Sequence, residues 1–197
     1  MCAMNYRNVS FKAAYGTSKQ LPPSAGPEIS FAGRSNVRKS SLLNKLFNRK
    51  GLAKVSQTPG KTATVNFYDV DGHDFVDLPG YGYAKASKAE LGRWSELMEG
   101  YFNQSRQFAL VCVLVDIRHD ASALDAQMLD FLQARELPFA IVLTKADKLS
   151  KQQTLRQKAA LRKQLGLGAD TPLVVTSSES GQGIDELRSV LTGVLGA

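Results

Sequence analysis

Short, continuously apolar runs alternate with segments whose apolar residues recur at helical spacing, and this alternation limits the fold more than any other feature. Phe108–Asp116 reads as a strand, and Leu124, Met128 and Phe131 mark a helix after it. Phe139–Thr144 is the next strand and residues 151–165 the next helix. Leu173–Thr176 follows as a strand, and Ile184, Leu187, Leu191 and Val194 mark the last helix. A strand apolar at every position needs cover on both faces, and an intervening helix makes the crossover parallel. Upstream, Glu28–Ala32 predicts a strand, Gly33–Lys39 a loop and Ser40–Phe47 a helix. Thr64–Val70 and His73–Val76 form a hairpin around Asp71-Gly72, and Leu91, Trp94, Leu97, Met98 and Tyr101 mark a further helix. The expected architecture is α/β in three layers: a mostly parallel central sheet with one antiparallel edge strand and helices on both faces.

At 197 residues the chain makes about one domain. Residues 1–27 read as an extension with a short strand near Val9–Ala13 and a proline-rich connection; residues 28–197 read as a single domain. Two cysteines, Cys2 and Cys112, are too few for a disulfide framework, which suits a reducing cytoplasm. The longest apolar run, Phe108–Val115, has 8 residues, against the roughly 18–20 that span a membrane. No apolar core follows the N-terminal basic residues, so no secretory signal is read there. The chain is expected to be a monomer without membrane contact.

Charge is divided unevenly. Residues 1–62 hold 11 basic side chains and one acid, Glu28, while residues 63–197 hold 14 basic and 17 acidic. An anionic partner is expected to meet the first third.

Ligands of open α/β sheets bind at the carboxyl ends of the strands. After the first of these comes Gly33-Arg34-Ser35-Asn36-Val37-Arg38-Lys39-Ser40-Ser41. It fits G-x-x-x-x-G-K-[ST] except at Arg38. In that motif the backbone N–H groups and the helix N-terminus wrap phosphates. Lys39 would reach the β- and γ-phosphates, and the Ser40 hydroxyl would hold Mg²⁺. Arginine at position 38 is sterically costly, because the motif's glycine commonly takes a conformation that side chains resist. Asp77-Leu78-Pro79-Gly80 fits D-x-x-G, with Asp77 reaching Mg²⁺ through water and the Gly80 N–H sensing a γ-phosphate. Thr144-Lys145-Ala146-Asp147 fits [NT]-K-x-D. The Asp147 carboxylate can accept from the guanine N1–H and amine, a donor pair that adenine lacks. Lys145 would lie along the base. Thr176, Ser177 and Ser178 follow the last strand, where a backbone N–H can meet guanine O6. The order of these motifs points to GTP and GDP as ligands.

With these stretches, Phe31–Val37, Thr58–Thr62, Asp77–Ala84, Asp116–His119 and Leu143–Leu149, the chain resembles the EngB (YihA/YsxC) family within the Ras-like, translation-factor-related GTPases. The resemblance implies a bacterial cytoplasmic GTP-binding protein that needs Mg²⁺. It also implies a role in cell division and septation and a link to assembly of the large (50S) ribosomal subunit, with ribosomal RNA as partner. By the same resemblance Gly60, Lys61 and Thr62 belong to switch I (residues 48–62). Thr62 completes the Mg²⁺ shell there when a γ-phosphate is present. Switch II spans residues 80–90.

Ras-type enzymes carry a water-orienting Gln where this chain has Tyr81, so slow hydrolysis is expected. Lys39, Asn36 and Thr62 are the candidate catalytic residues. Asn36 resembles the asparagine that ligates K⁺ in cation-activated relatives; the other reading is that it only stabilises the loop. The Arg49, Lys50 and Lys54 cluster is either a solvated loop or an RNA-facing one. His73 and His119 lack ligand spacing, and Trp94 reads as core. The competing function is a non-hydrolysing RNA-binding module whose nucleotide site is degenerate at Arg38.

Overall fold

The computed structural model describes residues 4–53, 63–82 and 86–196. Seven strands form one sheet: β1 (Val9–Tyr15), β2 (Pro27–Gly33), β3 (Val65–Val70), β4 (His73–Asp77), β5 (Gln107–Asp116), β6 (Phe139–Thr144) and β7 (Leu173–Val175). Five helices join them: α1 (Lys39–Leu46), α2 (Lys88–Asn103), α3 (Ala123–Ala134), α4 (Lys151–Gln164) and α5 (Ile184–Leu195). The strand order is β1-β3-β4-β2-β5-β6-β7. All neighbours from β4 to β7 pair in parallel, and β3 runs antiparallel to both β1 and β4. The sheet is thus mostly parallel, with its one reversed strand in the hairpin. That strand lies one place in from the edge, because β1 pairs outside it with Val9 opposite Val70.

The alternation of side chains along a strand divides the core in two. From β5, Val111, Val113 and Val115 face α2, α3 and α4, where Leu97, Tyr101, Leu132 and Leu161 meet them. Leu110, Cys112 and Leu114 face α1 and α5, against Leu43, Leu46, Leu187 and Leu191. Cys112 is a buried strand residue, as its sequence context predicts, and burial pushes its thiol pKa up. Trp94 is half-buried against the first core, with its indole near the Pro79 carbonyl. Leu91 and Val194 sit in outer turns, about half exposed, and contribute little to either core.

Three helices start on reciprocal caps: Ser87 with Glu90, Ser122 with Asp125 and Ser150 with Gln153. α5 starts on Gly183, at φ +71°, where a Cβ would lie 1.9 Å from the Val175 carbonyl oxygen. That position must be glycine for α5 to dock beside β7.

A buried ion pair ties the N-terminal segment to the sheet. Glu28 and Arg106 meet at 2.8 Å, both side chains fully inaccessible. The Tyr101 hydroxyl donates to Glu28 at 3.0 Å. Arg106 also donates to the Pro22 carbonyl and to Gln104, at 2.6 and 2.7 Å. Its guanidinium lies 4.8 Å from the centre of the Tyr101 ring.

Candidate functional site

The carboxyl ends of β2, β4, β5, β6 and β7 bring most of the singled-out residues to one side of the sheet. β2 ends at Gly33, which packs so close to Val37 and Leu114 that a Cβ there would sit 2.9 Å and 3.1 Å from their side chains. The chain then turns through Arg34–Arg38 into α1. Asn36 and Arg38 both lie in the left-handed region, at φ +66° and +65°. Position 38 therefore keeps a backbone conformation suited to glycine, at a cost of roughly 1–2 kcal/mol for an arginine. Arg38 caps α1 without a side-chain hydrogen bond to the helix. Its guanidinium instead reaches Glu179 at 2.6 Å, beside Ser177 and Ser178.

Lys39 opens α1, and its ammonium pairs with Asp77 at the end of β4 and donates to the Leu78 carbonyl at 2.6 Å. Both side chains are nearly buried. Ser40 and Ser41, in the first turn of α1, are half-buried. Leu78 is fixed by its N–H to the Phe31 carbonyl, 3.0 Å, which sets Pro79 and Gly80 beside the loop. Gly60, Lys61 and Thr62 lie outside the described residues. The preceding segment is clamped: the Asn44 amide donates to the Ala53 carbonyl and accepts from the Ala53 N–H, both at 2.8 Å.

Tyr81 is buried. Its N–H donates to the Gly33 carbonyl (3.2 Å), its carbonyl accepts from Ser35 N–H (2.7 Å), and its hydroxyl donates to Asp125 of α3 (2.9 Å). Burial first, then the Asp125 charge, pushes its pKa up. The side chain is a strut between residues 80–82 and α3, and it is not free to orient water.

At the far end, Lys145 takes φ +65° and its ammonium meets Asp116 at 2.8 Å. Arg118 grips the same carboxylate at 2.7 Å. Burial opposes the Asp116 charge, but the hydrogen bonds from Arg118 and Lys145 outweigh it and hold the carboxyl well below the usual range. Ala146 is buried, and its N–H donates to the Thr176 carbonyl at 3.1 Å. Thr144 and Thr176 are buried stitches to the carbonyls of Val115 and Leu143. The Ser177 hydroxyl donates to Asp147 at 2.7 Å while accepting from the N–H groups of Glu179 and Ser180 at 3.2 Å. That bond, reinforced by Lys148, lowers the Asp147 pKa. Ser178 follows, half-buried. Between the two ends a cleft of about 520 Å³ is lined by Asn36, Val37, Asp116, His119 and Lys145, among others. His73 and His119 take part in no cluster of three or more metal-ligating side chains among the described residues.

Sequence reasoning missed four partners here: Asp116 under Lys145, Asp125 under Tyr81, Glu179 on Arg38, and the Lys39–Asp77 contact. Asp77 was legible as the Asp of D-x-x-G though not as the partner of Lys39, and Asp125 left a local signal as the third residue after Ser122 in a capping box.

Residues 28–145 match the family model described as 50S ribosome-binding GTPase. Over 193 residues the chain is 45% identical to the "Probable GTP-binding protein EngB" of Syntrophomonas wolfei subsp. wolfei, spanning 98% of this chain and 99% of that one. The chain belongs to the EngB family of GTP-binding proteins. A Geobacillus kaustophilus EngB is 40% identical over 189 residues, 95% of this chain and 97% of its own length. Among solved structures, that of a probable GTP-binding protein engB superposes with a TM-score of 0.69 at 21% identity, covering 85% of this chain and 98% of that one. Era, solved with MgGDPNP and nucleotides 1506–1542 of 16S ribosomal RNA, superposes with a TM-score of 0.63 at 20% identity, over 86% of this chain and 56% of Era. These likenesses establish the Ras-like P-loop GTPase fold. GTP-binding and GTP hydrolysis are the activities of the family, with GTP, GDP and Mg²⁺ as its ligands.

Proposed function

We propose that this chain is built as a cytoplasmic guanine-nucleotide switch acting on the large ribosomal subunit, with cell division and septation depending on that role, and that Arg38 in its phosphate loop weakens its hold on nucleotide. The observation that carries the reading is the pair of site ends. Ser177 holds an anionic Asp147 ready for the guanine N1–H and amine, and Lys39 meets Asp77 where phosphates would lie. A γ-phosphate would draw Lys39 away from Asp77. Residues Gly33–Ser41 would wrap the phosphates, Leu78–Gly80 would sense the γ-phosphate, and Thr144–Asp147 with Thr176–Ser178 would hold the base. Ser40, Thr62 and Asp77 offer oxygen donors, a hard set that suits Mg²⁺ completed by water and phosphate. The ion would supply charge neutralisation at the β- and γ-phosphates.

Arg38 weakens nucleotide binding in this reading, because its pair with Glu179 joins the phosphate loop to the base loop. Titration with a fluorescent GDP analogue tests both points. Little or no binding is expected as the chain stands, and micromolar-class binding after Arg38→Gly. Tight binding with Arg38 in place would refute the obstruction. No binding by Arg38→Gly would favour the second reading, a non-hydrolysing RNA-binding module. The Arg38–Glu179 pair, which joins the phosphate loop to the base loop, is what supports that alternative. Asn36 lines the cleft, and the K⁺ reading predicts faster GTP turnover by Arg38→Gly in K⁺ than in Na⁺.

A further inference from the structure

α4 is unlike the other helices. Its 14 residues carry Lys151, Arg156, Lys158, Arg162 and Lys163 and no acid. Residues 63–197 otherwise hold nine basic side chains against 17 acidic, so this helix is a cationic island in an acidic region. Leu161 is its one buried residue. At about 100° per residue, the five cations and Leu155 fall on a continuous arc of about 160°, adjoining and opposite the Leu161 face. Leu155 lies mid-helix on that arc and is 69% exposed, more than any other large apolar side chain among the described residues. Arg162 is occupied, donating to the Gly168 and Thr171 carbonyls. Lys151, Arg156, Lys158 and Lys163 make no ion pair among the described residues.

We propose that α4 is an RNA-docking surface, in which Lys151, Arg156, Lys158 and Lys163 contact phosphates and Leu155 contacts a base or ribose; the proposal rests on the ribosomal reading above. Unpaired cations spread over about 18 Å of helix can follow several phosphates along a strand. A membrane-surface helix would need a broad apolar face beside its charges, and here the exposed arc offers Leu155 alone among large apolar side chains. None of these five residues is among the basic residues of the first third or the residues assigned to nucleotide.

The test compares the full chain with a variant carrying Lys151→Gln, Arg156→Gln, Lys158→Gln and Lys163→Gln. Binding to purified large ribosomal subunits and to protein-free large-subunit ribosomal RNA is measured across 50–200 mM salt, on the order of the range where phosphate contacts dominate. The variant should bind about tenfold or more weakly near the middle of that range, with the log–log salt slope smaller by about 3. Unchanged circular dichroism and thermal midpoint show that the variant is folded. Leu155→Ala should weaken binding with the salt slope unchanged. If the parent chain binds subunits and the fourfold variant matches it in affinity and slope, the α4 assignment is overturned and the ribosomal reading stands. If neither the parent chain nor Arg38→Gly with GTP binds subunits or RNA, the ribosomal reading falls and takes the assignment with it. Loss of binding to phosphatidylserine-containing vesicles, with RNA binding intact, would overturn the assignment in favour of a lipid surface.

Discussion

Tyr81 shows how one side chain can change role with its surroundings. From sequence it is the residue that replaces a water-orienting glutamine. In the fold it is a buried strut on Asp125, whose other oxygen accepts from the Ser122 N–H and hydroxyl. Tyr81→Phe removes a hydrogen bond to a buried carboxylate and should cost about 1.5–3 kcal/mol of stability, read by urea unfolding. GTP turnover by Arg38→Gly should be unaffected when Tyr81→Phe is added, because the hydroxyl is committed to α3. Asp116 gives a pH signature. Its folded pKa lies below the unfolded value, so its contribution to stability is full above the ordinary carboxylate range near pH 4 and is lost as pH falls through the depressed value. Asp116→Asn should therefore flatten the acid side of the stability–pH profile, measured by urea unfolding between about pH 2 and 5. The residue types of the site could be read in sequence because each motif has fixed spacing. Their partners could not, since Glu179 lies 141 positions from Arg38.

At the scale of elements, the strands and helices were legible to within a few residues, because continuous apolar runs and helical periodicity are local signals. The outer turns were not. Leu91 and Val194 continue a helical period yet lie beyond the reach of the sheet. α4 hangs on Leu161, so Leu161→Ala should cost about 2–5 kcal/mol and lower the thermal midpoint, whereas the glutamine replacements on its outer arc should leave stability nearly unchanged. The Glu28–Arg106 pair welds the proline-rich connection, β2, α2 and β5 into one unit. Arg106→Ala leaves Glu28 buried and uncompensated, and denaturant unfolding should show a loss of about 3–5 kcal/mol. Replacing both residues by apolar ones of similar size should recover much of it, because the pair itself carries a desolvation cost.

Over the whole molecule, charge is sorted by place. The first third places Arg34, Arg38 and Lys39 in the Gly33–Ser41 loop. α4 adds a second cationic surface, on the opposite side of the sheet from α1 and α5. The division of the chain into a basic first third and a mildly acidic remainder concealed that surface, because acids elsewhere in residues 63–197 cancel it in any sum. Sequence by itself determined the fold class, the order of the motifs and the type of base they can read. Those depend on periodicity and spacing along the chain. Tertiary structure decided which charges pair, which loops are tied together and which cations stay free. The Lys39–Asp77, Arg106–Glu28 and Arg38–Glu179 pairs join residues 38, 78 and 141 positions apart, and no local pattern encodes them. The N-terminal strand illustrates the boundary: its extended conformation is local, but its place outside β3, making the reversed strand an inner one, is set only when the sheet assembles.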